Sequence, residues 1–486
     1  MNKSYWFKLI SGPLAAALII AFANLDEANP LVTYMAAIIA WIAIWWFTEV
    51  VHLAVTSLLP FILLPLLGIC DAKTVAYQYM DQVIFLFIGG FIIAFAIERW
   101  NLHKRIALKI LSLLGRSPSS ILFGIMLTAY LLSMWISNTA TTMMLISAVI
   151  AVVHQVELHI KDQKQRNNIA TVLFIGLAYS ASIGGMATLV GTPPNMIFYR
   201  FYTEAYPGNN DLDFLTWFKI GFPLSLTFLV VCFFVLKSIF LRKVAHIDFD
   251  KNYFLKEYKH LGKMSAEEKT VGAIFITTAI LWFTRSGMDF GNFSIPGWGS
   301  LFGKSEIVQD STVAVVMALL LFIIPSKNEK GRALISWDEA SKLPFDIILL
   351  FGSGFAIAKG FELSGLSNFL AAQLEFFKTA NIVVIILLVC LMITIISELA
   401  SNIASIQLAL PILISIQKGL DIHPLLLMIP ATFAASLGFM LPVATAPNTI
   451  VFGSKRIKVN DMMKAGIFLD VAGILLILLF SLLLLR

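Results

Sequence analysis

The sequence predicts an all-α polytopic membrane protein made of two inverted repeats, with about 11 transmembrane helices plus two re-entrant hairpins. Three observations lead there: an extremely apolar composition, basic residues confined to short loops, and polar interruptions that recur at a fixed spacing. Of 486 residues, 59% are hydrophobic and only 13% charged, and the mean hydropathy is +0.86. A soluble chain of this size needs far more charge to stay dissolved. Long apolar stretches also exclude a porin-type barrel, whose strands read as short alternating segments. The net charge of +6 is not gathered into a patch, so nucleic acid is excluded as a partner and the lipid bilayer takes its place. Cys70, Cys232 and Cys390 are scattered without metal-ligand spacing and read as packing residues.

Taken in order, spanning helices are expected at 9–24, 32–50, 53–69, 82–99, 169–200, 216–241, 270–285, 311–325, 345–363, 424–453 and 465–485. The first, with Lys3 and Lys8 before it and Ala21-Phe22-Ala23 at its end, has the outline of a signal peptide. Another long apolar stretch follows at once, so an uncleaved helix is the expectation. Segments 118–156 and 382–418 are each too long for one span, and each has a polar interruption at its middle. Read as re-entrant hairpins, they leave the loops alternating consistently. With the N-terminus inside, inner segments carry 25 basic residues and outer segments five, namely Lys73, Arg285, Lys304, Lys378 and Lys418. That asymmetry orients the chain in an inner membrane, N-terminus cytoplasmic and C-terminus periplasmic. Full crossings in place of hairpins keep the same parity, so the hairpin reading rests on the polar tips.

The stretch Phe85–Leu102 resembles Leu349–Leu366 at an offset of 264, with Phe87/Phe351, Gly90/Gly354, Phe91/Phe355, Ala94/Ala358 and Glu98/Glu362 matched. The same offset pairs Ser133/Ser397, Ser137/Ser401, Asn138/Asn402 and Ala140/Ala404. A little later, Gly191-Thr192-Pro193-Pro194-Asn195 faces Ala444-Thr445-Ala446-Pro447-Asn448. Apolar identities match cheaply, whereas a shared Ser-Asn inside a membrane segment does not. The 82–99 helix runs outside to inside and 345–363 the other way, so the halves are inverted. Such repeats with interrupted helices mark secondary transporters, with the site near the midplane.

Ser137-Asn138-Thr139, with Ser133 one turn earlier, places polar groups at a depth where they need a partner. A tip there starts a second half-helix, whose free N–H groups and dipole of about +0.5 charge face an anion. Hydrogen bonding between helices is the plainer explanation of one such cluster; its mirror at Ser397, Ser401 and Asn402 favours function. Pro193-Pro194 and Pro447 interrupt the two long helices and free upstream carbonyls. These carbonyls, with Ser and Asn oxygens, are hard ligands of the kind an alkali cation needs, one site per repeat. No Lys or Arg lies in either tip or either break, so a divalent anion there calls for bound cations. Glu398, the only carboxylate in these windows, is open to three readings: an ion pair, a protonated buried acid, or a direct role.

These four motifs resemble those of the divalent anion:sodium symporter family, which holds bacterial sodium/dicarboxylate carriers and animal di- and tricarboxylate and sulfate carriers. The likeness covers residues 32–485. It implies an elevator-type homodimer with scaffold and transport domains. The chain then divides into scaffold (1–116), transport (117–241), cytoplasmic connector (242–269), scaffold (270–381) and transport (382–486) parts. The resemblance implies one sodium site at Ser133, Ser137, Asn138 and the backbone near Gly191, and a second at Ser397, Ser401, Asn402 and the backbone near Ala444. Substrate carboxylates would meet Asn138, Thr139, Pro194, Asn402, Thr445, Ala446 and Pro447. Two departures stand out. Ile403 replaces the Thr of the second tip, removing a hydroxyl and putting substrate preference in question, and Pro447 is single where the family motif has two prolines.

The expected function is sodium-coupled symport of small dicarboxylates of the succinate, malate and fumarate type, with two or more sodium ions and no organic cofactor. Alternatives are sodium-independent dicarboxylate exchange, or sodium-coupled citrate or sulfate transport. An enzyme is not expected: His52 near Ser57 is the only local pair for an intramembrane hydrolase, and His103, His154, His159, His246, His260 and His423 are scattered. The segment 98–116 mixes basic and apolar residues like an interfacial helix, and the Lys-rich 241–270 reads as a solvated connector.

Overall fold

The computed structural model describes residues 3–114, 117–160, 162–206, 212–242, 244, 252–289, 294–302, 307–373, 381–420 and 422–484. Arg116, Lys161, Lys243, Lys251, Lys304 and Lys378, counted in the charge asymmetry, lie outside these residues, as does His246. The helices run in order as α1 (Lys3–Phe22), α2 (Pro30–Thr48), α3 (Leu53–Thr56), α4 (Leu59–Leu66), α5 (Ala72–Gln78), α6 (Gln82–Arg99), α7 (Leu102–Leu114) and α8 (Pro118–Ser133). Then come α9 (Asn138–His159), α10 (Gln163–Gly185), α11 (Pro193–Ala205), α12 (Phe214–Leu236), α13 (Asn252–His260), α14 (Ala266–Thr284), α15 (Asp310–Ile323) and α16 (Trp337–Ala340). The last are α17 (Phe345–Ser364), α18 (Leu366–Gln373), α19 (Ile382–Leu399), α20 (Asn402–Leu420), α21 (Leu425–Ala435), α22 (Ala446–Phe452) and α23 (Val459–Leu484). Among the described residues, nine helices are long and apolar enough to cross a membrane.

Local chemistry sets many of these boundaries. Asp81 caps α6 by accepting from the Val83 N–H, and Ser117 with Ser120 forms a capping box ahead of Pro118 at the start of α8. Pro193 and Pro447 stand in the first turns of α11 and α22, where a missing N–H costs nothing. Upstream of each proline the chain cannot stay helical, so the expected spans 169–200 and 424–453 are broken at 186–192 and 436–445.

Several expectations are corrected. The single helix expected at 53–69 is two short pieces, α3 and α4; Pro60 and Pro65 fall in this stretch. The 311–325 span is a helix of 14 residues. The chain is not wholly α, because Gly287–Asp289 and Ser294–Pro296 pair as an antiparallel hairpin. Gly287, at φ +90°, allows that turn of the backbone. The segment read as interfacial is the amphipathic helix α7, and one of its residues also anchors the second half of the chain. Arg105 is buried and grips Glu268 at 3.0 Å and the carbonyls of Gly262 and Leu261, fastening α7 to the start of α14. Part of the 241–270 connector is ordered as α13, which packs on α7.

The packing interleaves the two halves of the chain. Both α8 and α9 rest on α10, and both α19 and α20 rest on α21. Across the halves, α11 lies on α20 and α21, while α22 lies on α9 and α10. A separate apolar cluster joins α2 and α4 to α17 and α18 through Met35, Ile42, Trp46, Leu64 and Phe361.

Candidate functional site

Each helix pair meets at a short polar tip. In the first, the Ser133 hydroxyl at the end of α8 donates to Asn138 Oδ1 at 2.6 Å. Ser137 Oγ accepts from the Ala140 N–H at 3.2 Å and so caps α9. In the second, Ser397 Oγ donates to Asn402 Oδ1 at 2.7 Å, repeating the bond 264 residues later. Ser397 Oγ also lies 2.7 Å from the carbonyl oxygen of Ala435. A hydroxyl has one proton, so it serves only one of these oxygens at a time. One of the two acceptor oxygens is therefore left without that proton at any moment.

The breaks are built alike. Asn195 Nδ2 donates to the carbonyls of Gly185 and Thr188 at 2.9 and 2.8 Å. Asn448 Nδ2 does the same for Gly438 and Leu441 at 2.8 and 3.1 Å. The asparagine ending each motif thus ties down carbonyls of the non-helical break, and the Oδ1 of both residues is buried without a partner among the described residues. Thr188 Oγ1 donates to the Met134 carbonyl, tying the first break to the first tip. Close approach demands the glycines here: a Cβ on Gly191 would stand 2.5 Å from the Gly185 carbonyl oxygen. The single proline of the second break leaves no loose backbone, because Thr445 caps α22 through the Asn448 N–H at 3.3 Å. Thr192 makes no such bond.

The tips and breaks converge on one cavity of about 600 Å³. Its walls include Ser137, Asn138, Thr139, Gly191 and Pro194 from the first half, and Ser401, Asn402, Ala444, Thr445, Ala446 and Pro447 from the second. Asn138, Pro193, Asn402 and Ala446 are the first residues of α9, α11, α20 and α22, so four helix N-termini meet there. The first-turn N–H groups and dipoles of α9 and α20 make that part of the cavity favourable to an anion. By contrast, α11 opens with two prolines and its Asn195 N–H bonds the Thr192 carbonyl, and the Asn448 N–H of α22 bonds Thr445 Oγ1. Ser133 and Ser397 do not line it; they are fully buried behind Asn138 and Asn402. Ile403 does line it, in place of a hydroxyl.

Other lining residues were not singled out as site residues from the sequence. Phe87, Phe91 and Phe95 of α6 form an aromatic wall, and Glu49, His52, Lys342 and Asp346 bring ionisable groups. The helical spacing of the three phenylalanines was the one available signal. Glu398 stands apart from the cavity and makes none of the ion pairs found among the described residues. Its carboxylate accepts from the Met440 and Leu441 N–H groups at 2.8 and 3.1 Å, which pins the second break. The buried side chain of Asp470 on α23 stands beside it. His52 and Ser57 form no acid–base pair: His52 Nδ1 accepts from the Ala54 N–H, and Ser57 Oγ donates to the Leu53 carbonyl.

Comparison with known proteins matches this architecture to transporters. The family described as the sodium:sulfate symporter transmembrane region matches residues 3–485. The sodium-dependent dicarboxylate transporter SdcS of Staphylococcus saprophyticus is 38% identical over 487 residues, spanning 98% of this chain and 92% of that protein. Its namesake in Staphylococcus aureus is 37% identical over 476 residues, spanning 97% and 89%. Among solved structures, the Alcanivorax borkumensis YdaH transporter, described as having an unusual topology, aligns with a TM-score of 0.51 at 15% identity, over 85% of this chain and 88% of that one. That likeness concerns the fold alone. Matched over nearly its whole length, this chain belongs to the sodium:sulfate symporter family of membrane proteins.

Proposed function

We propose that the protein is a secondary active transporter that couples inward sodium movement to uptake of a small dicarboxylate of the succinate, malate or fumarate type. One observation carries the reading: two Ser–Asn tips, 264 residues apart, and two Pro–Asn breaks, 253 residues apart, meet at one cavity lined in part by helix N-termini. Relatives named as sodium-dependent dicarboxylate transporters, alike over nearly the full length, support the same substrate class.

In this reading Ser133, Ser137, Asn138 and the Gly191 backbone hold one sodium ion, and Ser397, Ser401, Asn402 and the Ala444 backbone a second. The cations offset the dianion, whose carboxylates meet Asn138, Thr139 and the turn at Pro194 on one side. On the other side they meet Asn402, Thr445, Ala446 and Pro447. The two halves are inverted repeats. Residues 1–116 and 270–381 form the scaffold of a homodimer, and 117–241 and 382–486 form a transport domain that moves against it, with 242–269 connecting the halves on the inner face. The N-terminus is cytoplasmic and the C-terminus periplasmic. Two sodium ions carried with one dianion move no net charge, so the sodium gradient itself drives accumulation; each sodium beyond two would add about 2.3 kcal/mol per 100 mV. The family description names sulfate, and a tetrahedral dianion also suits helix N-termini, so sulfate is the second substrate to test.

The test is radiolabelled succinate uptake into proteoliposomes under an inward sodium gradient, with potassium as control. Accumulation only with sodium is expected. Equal uptake in both, dependent on preloaded dicarboxylate, would make the protein an exchanger and remove the cation sites. Sodium-dependent uptake of sulfate without succinate would reassign the substrate. The Asn138→Ala variant is expected to assemble and lose sodium-dependent uptake.

A further inference from the structure

The cavity has two unlike walls. The lining from the tips and breaks has no formal charge; the rest of it comes from the α2–α3 turn and the start of α3, from α6, and from the segment between α16 and α17 with the first turns of α17. That second part supplies all four ionisable groups of the lining: Glu49, His52, Lys342 and Asp346, each exposed. Lys342 is the one Lys or Arg among the lining residues.

Its place is fixed by the backbone around it. Ser336 and Glu339 form a capping box at α16, and Arg99 at the end of α6 pairs with Glu339. The turn continues with the Lys342 N–H on the Glu339 carbonyl at 3.3 Å and the Leu343 N–H on that of Ala340, before Pro344 opens α17. The Lys342 ammonium takes part in none of the ion pairs among the described residues, Asp346 included. On the facing turn, Glu49 ends α2 at φ 45°, a strained conformation for a residue other than glycine, and the chain then presents His52. His52 Nδ1 is already used to cap α3. This exposed part of the lining therefore carries two carboxylates, one imidazole whose Nδ1 caps α3, and one ammonium outside the ion pairs among the described residues.

We propose that Lys342 is an affinity-determining residue that meets a carboxylate of the dianion at the mouth of the cavity. It holds the substrate in transit between bulk water and the helix N-termini. Without it a dianion crosses a rim bearing only the charges of Glu49 and Asp346, which repel it. Lys342 belongs to the segment 326–343, placed on the inner face by the charge asymmetry, so its effect falls on the inner side. This rests on the reading of the chain as a dicarboxylate carrier.

An exposed charge pair is worth up to about 1 kcal/mol, roughly a fivefold change in affinity, so a dianion should respond by about three- to tenfold. The experiment compares the natural protein with Lys342→Ala and Lys342→Arg in oriented proteoliposomes, measuring succinate KM and maximal rate in both directions at fixed sodium. Lys342→Ala should raise KM for substrate entering from the inner face by about three- to tenfold, with maximal rate and sodium half-saturation within twofold. Lys342→Arg should restore KM. Adding choline chloride to go from about 0.1 to about 1 M ionic strength should bring the natural protein towards the alanine variant, since screening shortens from about 10 to about 3 Å. An unchanged KM on the inner face overturns the proposal, as does a loss of maximal rate that arginine does not rescue. A natural protein without sodium-dependent succinate transport would instead sink the functional reading itself, before any variant is made.

Discussion

Gly185 offers a way to disturb the first tip without unfolding it. A Cβ built there would lie 2.4 Å from Asn138 Oδ1, below the 3.0 Å that real Cβ atoms keep, and 3.1 Å from its Cγ and Nδ2. In Gly185→Ala the Asn138 oxygen must withdraw by about 0.6 Å or more, beyond the roughly 0.5 Å tolerance of a preorganised site. The obstacle is the end of a side chain, so the helix survives. What is lost is the Ser133–Asn138 bond and the placement of a proposed sodium ligand. A hydrogen bond to a charged group is worth about 1.5–3 kcal/mol, so the sodium half-saturation constant should rise by at least about tenfold. The control is its counterpart. At Gly438 the nearest atoms are Thr445 Cγ2 at 3.2 Å and Ala444 Cβ at 3.4 Å, with Asn402 Oδ1 at 3.7 Å, so Gly438→Ala should shift the constant by less than about threefold. The assay is sodium-dependent succinate uptake in proteoliposomes, with thermal unfolding in detergent to verify folding. A well-folded Gly185→Ala variant with unchanged sodium dependence would refute the assignment of Asn138.

Three further outcomes are expected. Ser397→Ala removes the hydroxyl that joins Asn402 to the Ala435 carbonyl, and should raise the sodium half-saturation constant about tenfold while stability falls by no more than about 1.5 kcal/mol. Asp81→Asn keeps the cap on α6 but loses the charge that holds Arg200 of α11 at 2.7 Å; the partly buried pair should cost about 1–3 kcal/mol, read as a lower unfolding temperature. Glu267, ahead of the apolar run of α14, is raised by burial but pulled down further by the N–H groups of Asn328 and Lys327 and the Ser326 hydroxyl, to about 2. A carboxyl lowered in the folded state stabilises above its unfolded value of about 4.3 and loses that contribution as pH falls towards 2. Glu267→Gln should therefore unfold earlier by a constant margin between about pH 8 and 5, and a margin that changes across that range would contradict the geometry.

The tips were legible because Ser and Asn are costly inside a membrane, and a fixed offset of 264 joined Ser133–Asn138 to Ser397–Asn402. The breaks were legible because proline cannot continue a helix. Less visible was what the break asparagines do. Sequence offered Asn195 and Asn448 as oxygens for cations; it did not show that their Nδ2 groups bond carbonyls of the breaks while each Oδ1 stays without a partner among the described residues. The charged rim was invisible, since Glu49, His52, Lys342 and Asp346 sit at helix ends far apart in sequence. The balance drawn from the motifs alone accordingly omitted Lys342. The segment 53–69 misled because its composition suits a span while Pro60 and Pro65 shape it into shorter pieces.

The interleaved packing bears on why sodium and a dianion would move together. Asn138 accepts the Ser133 bond and also begins α9, on which α22 rests, and the first residues of both helices line the cavity. Asn402 accepts the Ser397 bond and begins α20, on which α11 rests, with the same consequence. On the proposed sodium sites, an ion ordering either tip would fix one helix N-terminus of its own half and support one from the other half. The dianion then binds donors that are already in place and loses less freedom on binding. Linkage requires the reverse as well: if sodium tightens dicarboxylate binding, the dicarboxylate must tighten sodium binding by the same factor. Equilibrium titrations of each ligand at several concentrations of the other measure both factors. Two unequal factors would mean that the titrations report steps of transport rather than binding, and two factors of one would leave the shared helices without a role in coupling.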